Sequence, residues 1–324
     1  MKSRHCLLRA AAAFALAAFA NVALAQYPNK PIRMLVGFAA GTGPDVAARI
    51  VAQQLQDSIK SAVVVENRPG AAGFIAAQEA ARAHPDGYTL LFGEVGQLSM
   101  APSTYKSVPY DPAKDFAPVS QVVSADFVLV VGASAPPKDL KEYVDWVKSR
   151  KDYFMATFGA GTPGHFGAVM LGDDLKLKVE PVHYRTTADA MTGTISGDTQ
   201  GMFGTAALVT PHVRGGRLRA IAVTGPVHSP LLPDVPTFPE LGHPDLQFSA
   251  WFGLVAPAKA PPEVIDKLNA EVTKALASGE GRKKLEEAGF RVTPSTPAEF
   301  GKYIAEERER WAKVVKQSGF KALE

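Results

Sequence analysis

An α/β fold in two lobes is predicted by this sequence on three observations. From Ile32 onward, short apolar runs alternate with segments of helical period, the pattern of a mostly parallel sheet flanked by helices. The alternation occurs twice, over 32–92 and again over 140–224, with apolar strand runs between and after. The 324 residues, 46% of them hydrophobic, exceed what one core usually absorbs. A cleft between the lobes is then the natural ligand site.

Lys2, Arg4 and Arg9 precede a run of Ala, Phe and Leu over 10–20, and Ala23-Leu24-Ala25 follows. This is read as a secretory signal peptide (1–25) cleaved near Ala25, its apolar core falling short of the roughly 20 residues that span a bilayer. Cys6, the only cysteine, lies before that core, so disulfides and thiol chemistry are not expected in the mature chain. The formal charge of +3 is matched by the leader's three bases, leaving the remainder neutral and giving no argument for nucleic acid.

Ile32 to Val36 is the first expected strand. Val46 to Ile59 follows as a helix with an apolar stripe through Ile50, Val51 and Leu55. Val63-Val64-Val65 is a strand, 72–83 an Ala-rich helix, and 88–92 a strand. The stretch 101–115 lacks a sustained period and reads as a long ordered connection. Strands over 118–123 and 127–131 follow, with a lobe crossing between them. Lobe 2 comprises helix 140–150, strand 153–158, helix 166–175, strand 179–184, helix 188–195, strand 200–203, helix 206–214 and strand 218–224. The Pro-rich 226–244 is a connection, and 248–257 the returning strand. Helices from 261, over 281–288 and over 297–317, with a strand at 290–293, complete the chain. The expected division is 26–124 plus 249–324 for lobe 1 and 125–248 for lobe 2.

Two stretches share one grammar of strand, glycine loop and helix. Gly37-Phe38-Ala39-Ala40-Gly41-Thr42-Gly43-Pro44-Asp45 follows the first strand, and Phe158-Gly159-Ala160-Gly161-Thr162-Pro163-Gly164-His165 opens the helix at 166. Such loops present bare N–H groups at a helix N-terminus, where the dipole favours an anion. Glycine loops also serve simply to turn the chain. Thr42 and Thr162 add hydroxyls to the amides, His165 is placed at the cleft, and Asp45 is read first as a helix cap. As a dinucleotide site the first loop fails, because Val46 stands where the third glycine belongs. There is no Gly-x-Ser-x-Gly elbow and no metal-ligand histidine spacing, so no catalytic residue, metal or cofactor is assigned. Glu306, Glu307, Arg308 and Arg310 read as a solvated helix face.

These loops belong to a longer series of motifs. Val64-Val65-Glu66-Asn67-Arg68-Pro69-Gly70, Pro85-Asp86-Gly87-Tyr88-Thr89-Leu90, Pro109-Tyr110-Asp111-Pro112, Leu218 to Thr224, Leu232-Pro233-Asp234-Val235-Pro236-Thr237 and Trp251-Phe252-Gly253 occur in order along the chain. Together they resemble the Bug family, the substrate-binding receptors of tripartite tricarboxylate transporters. The resemblance implies a two-lobe periplasmic binding protein of the type 2 kind, acting as a monomer, that closes on a small carboxylate and presents it to the membrane subunits of a tripartite transporter.

Carried over residue by residue, the resemblance implies ligand contact by Phe38, Ala39, Ala40, Gly41, Thr42, Gly43 and Asp45 from one lobe. From the other come Gly159, Ala160, Gly161, Thr162, Gly164 and His165, with Glu94 and Gly96 from the loop after the third strand. Gly204 and Thr205 stand where many relatives carry an aspartate that meets an amino group, which points toward an aliphatic dicarboxylate or aromatic carboxylate. Glu94, if it faces the cleft, repels a second carboxylate unless protonated, or accepts from a hydroxyl. An exported enzyme acting in the same cleft and a ligand-sensing partner of a membrane signalling protein stay open as alternatives.

Overall fold

The structure is a computed structural model that describes residues 27–277 and 279–324. The expected leader and its cleavage near Ala25 lie outside the described residues. Strand β1 (Ile32–Val36) pairs in parallel with β2 (Val63–Asn67) on one side and β3 (Thr89–Glu94) on the other. Helix α1 (Gly43–Ile59) covers them, burying Ala47, Ala48, Val51, Ala52 and Leu55. It starts ahead of the expected Val46 because Pro44 sits in its first turn, where a missing N–H costs nothing, and it stops at Lys60 in a left-handed cap. Helix α2 (Phe74–Ala81) is shorter than expected, since the residues before it, Gly70 to Gly73, all have positive φ and form a left-handed turn.

A wide helical turn (Gly96–Met100) runs into the short helix α3 (Ala101–Thr104), which opens the stretch 101–115 expected as a plain connection. After it comes a correction. The two strands expected on either side of a lobe crossing are one strand, β4 (Phe116–Gly132). Ser124-Ala125-Asp126 interrupts the apolar run without interrupting the ladder. β4 faces the returning strand β9 (Ser249–Pro257) as far as Asp126, then faces β7 (Met202–Thr205) and β8 (Leu218–Val223) from Phe127 on. Its partners change within one peptide bond, so it is the member that joins the two lobes.

The second lobe adds α4 (Leu140–Lys148), β5 (Phe154–Thr157), α5 (Pro163–Leu175), β6 (Glu180–His183), α6 (Thr187–Ser196) and α7 (Ala206–Arg214). β5 runs parallel to β6 and β7. The mostly parallel expectation therefore holds within each lobe's outer strands, whereas β4 and β9 are antiparallel to each other and β9 to β3. One carries the chain out of lobe 1 and the other brings it back, so opposite directions follow.

The C-terminal part supplies α8 (Pro262–Ala277), α9 (Gly279–Glu287), β10 (Arg291–Val292) and α10 (Pro297–Gln317). α10 opens with a capping box between Thr296 and Glu299. Phe300 lies so close over Gly253 that a Cβ there would meet its ring at 2.1 Å. Farther along, Trp311 packs near Phe166 and Phe248. Between them Glu307, expected on a solvated face, is buried and accepts from the indoles of Trp251 (3.1 Å) and Trp311 (2.9 Å). α10 thus bridges residues of both lobes. No helix among the described residues is long and apolar enough to cross a membrane.

Candidate functional site

The two glycine loops are built alike. Gly41 and Gly161 hold φ of +82° and +76°, positions that suit a residue without a Cβ. The following threonines are helix N-caps with extended ψ, and each hydroxyl donates back into its loop, Thr42 Oγ1 to the Ala39 carbonyl at 2.7 Å and Thr162 Oγ1 to the Gly159 carbonyl at 2.8 Å. The glycine amide is taken up from inside as well. Gly41 N–H donates to Asp45 Oδ2 at 2.9 Å, and Gly161 N–H donates to His165 Nδ1 at 3.2 Å. Asp45 and His165 thus do the same work at equivalent places, and both are buried beneath their loops.

Their protonation follows from these bonds. Burial acts to raise the Asp45 carboxyl, but hydrogen bonds from Arg49, Gly41 and Asn67 outweigh it and hold the group below its ordinary range. Burial, with His183 alongside at 4.7 Å between ring centroids, pushes the His165 imidazole down to about 4. His165 is therefore neutral at pH 7, its Nδ1 an acceptor.

Both loops open onto one cavity of about 780 Å³. Of the expected residues, Phe38, Ala39, Gly43, Glu94, Gly96, Ala160, Gly161, Thr162 and Thr205 line it. Ala40, Gly41, Thr42 and Gly159 shape the loops without lining it. Asp45, Gly164 and His165 lie buried behind them, and Gly204 is packed against Val209. Both threonine hydroxyls donate within their own loops. The N–H groups of Ala39, Gly43, Ala160 and Thr162 have no partner among the described residues. Helices α1, α5, α6 and α7 all begin at this cavity, through Gly43, Pro163, Thr187 and Ala207. Four positive dipole ends and unpaired amides form a seat for an anion that needs no cationic side chain.

Sequence reasoning missed the aromatic walls, Phe74, Tyr105, Phe127, Phe158, Phe252 and Phe290. Phe252 and Phe158 stood inside quoted motifs, yet nothing local distinguished them from core residues. Glu94 is the one carboxylate on the lining, and no Lys, Arg or His joins it among the described residues. Its Oε1 accepts from Gly96 N–H at 3.1 Å. Burial pushes its carboxyl up to about 7 against that single hydrogen bond. Gln97, fully buried, fixes this corner by accepting from Glu94 N–H at 3.1 Å and donating to the Gly73 carbonyl at 2.7 Å.

A family model described as "Tripartite tricarboxylate transporter family receptor" matches residues 47–320. Protein BugT of Bordetella pertussis is 33% identical over 308 residues, covering 93% of each chain. Among solved structures, R. palustris Rpa4515 with adipate superposes with a TM-score of 0.79 at 28% identity, covering 92% of this chain and 100% of that one. MatC from Rhodopseudomonas palustris with bound malate superposes at 0.73 with 31% identity, covering 89% and 100%. With its two lobes, its paired glycine loops and a match over most of its length, the chain belongs to the receptor family of the tripartite tricarboxylate transporters.

Proposed function

We propose that this protein is a periplasmic receptor that holds a small organic carboxylate between its lobes and delivers it to the membrane subunits of a tripartite transporter, acting as a monomer and without turning its ligand over. The observation that carries the reading is the pair of equivalent loops, one per lobe, whose unpaired amides open onto a common cavity. Adipate and malate in two related structures support a carboxylate as ligand. The lobes of the proposal are 26–124 with 249–324, and 125–248, a division close to the partner change at Asp126 and Phe127. The ligand carboxylate sits against the amides of Ala39, Gly43, Ala160 and Thr162. An anion shared by both lobes favours the closed arrangement by as much as it prefers that state.

Calorimetric titration with a panel of organic acids tests this. A ligand from the panel should bind and be recovered unchanged, and it should raise the melting temperature, since it binds only the folded chain. Absence of binding across mono- and dicarboxylates would overturn the receptor reading, and conversion of the bound acid would favour an enzyme.

A further inference from the structure

The cavity carries amide donors from two loops and one acidic point. Glu94, opposite Phe252 on the neighbouring strand, is the one carboxyl on the lining among the described residues. One of its oxygens is engaged by Gly96 N–H, and Oε2 has no partner among the described residues. No cationic side chain pairs with it among the described residues. The titratable groups that face it are the phenols of Tyr105 and Tyr110, both raised by burial and by Glu94 itself, so they are neutral throughout the physiological range. A carboxylate placed there without a counter-charge is expensive, and removing its water on ligand binding makes it more so. A ligand bearing a second carboxylate aggravates this, whereas one bearing a cation relieves it.

We propose that Glu94 selects a second group on the ligand by accepting a hydrogen bond from an ammonium, so that the preferred ligand is an amino-substituted carboxylate: carboxylate on the loop amides, ammonium on Glu94. This rests on the carboxylate-receptor reading above. It places the counter-charge for an amino group on the strand end of lobe 1, although Gly204 and Thr205 leave the other lobe without one. Phe252, opposite Glu94 on the neighbouring strand, and Tyr105, close enough for Glu94 to raise its phenol, are aromatic lining residues of a kind that also favours a cation.

The test compares chain-matched ligands by calorimetry at pH 8: ω-aminocarboxylates, ω-hydroxycarboxylates and dicarboxylates of four to six carbons, against wild type and Glu94→Gln. Wild type should bind its best amino acid at least tenfold more tightly than the matching hydroxy acid or diacid. Glu94→Gln should weaken the amino acid at least tenfold and strengthen the diacid. Because the carboxyl of Glu94 titrates near neutrality, the wild-type preference should also shrink at pH 6, a measurement that needs no variant. Equal or tighter binding of diacids by wild type, or a preference unchanged by Glu94→Gln, would overturn the assignment while leaving the receptor reading intact. Failure of every carboxylate to bind would remove that reading itself.

Discussion

Glu94 holds its proton more tightly in the folded chain than in the unfolded one, because burial raises its carboxyl to about 7 from an ordinary value near 4.5. Below the unfolded value both states are protonated and the group contributes nothing unfavourable. Between the two values only the folded state keeps the proton, so stability falls as pH rises, and the whole penalty is present above 7. The shift corresponds to at most about 3 kcal/mol. Glu94→Gln removes the ionisation while keeping the shape. The variant should therefore melt close to wild type at pH 4.5 and above it at pH 8, by several degrees in a thermal scan without ligand. A variant no more stable than wild type at pH 8 would mean that the carboxyl is solvated after all. That Glu94 was unusual was legible in the sequence; its environment was not, because Tyr105 and Tyr110 reach it from a stretch without period. The equivalence of Asp45 and His165 was hidden for a different reason. An ionised carboxylate and a neutral imidazole are unlike residues, and only the amide they accept from makes them alike.

The elements that were legible are those whose periodicity is fixed by a single buried face. α7 and α10 begin and end where the pattern places them, and both glycine loops stand between strand and helix as expected. β4 was read as two strands because Asp126 breaks its apolar run. Asp126 is held in place by contacts from distant sequence: Arg291 donates to both carboxylate oxygens at 3.0 Å, while Gly225 comes so close that a Cβ would meet Oδ2 at 2.4 Å. Next to it, Thr224 ties the two crossing segments together. Its buried hydroxyl accepts from Phe127 N–H at 2.9 Å and donates to the Phe248 carbonyl at 2.6 Å. Thr224→Val keeps the shape and leaves a buried donor and acceptor unpaired, at a cost of about 2 kcal/mol. Urea unfolding should show that loss, and Thr224→Ser should recover most of it. Equal stability of the valine and wild-type proteins would show that the tie contributes nothing.

At the scale of the whole molecule, the lobes are joined by more than the crossing strands. The sequence placed everything after 249 with lobe 1, on the grounds that the chain had returned. α10 does start there, with Phe300 on Gly253, yet it ends against α5 of lobe 2. Beyond it, Phe320 packs on the rings of His165 (5.5 Å) and Phe166 (5.4 Å), directly behind the second glycine loop. Leu323 then turns back to lobe 1, donating to the Thr104 carbonyl at 2.8 Å and accepting from Lys106 N–H at 2.9 Å. The segment therefore links the lobe 1 wall of the cavity, at Thr104 and Tyr105, to the histidine that holds Gly161 N–H. Truncating Phe320 to Ala removes a half-buried ring, so its cost should be about 1–2 kcal/mol, below the range for a fully buried one. Because the ring also holds His165 in place, ligand affinity should fall several-fold as the second loop loosens. The exposed Val227, which is not part of the cavity lining, serves as the control, and Val227→Ala should change neither quantity. Calorimetry and urea unfolding on both variants separate the outcomes. A Phe320→Ala protein that is less stable but binds as tightly as wild type would limit the segment to holding the fold, and would remove it from any part in shaping the site.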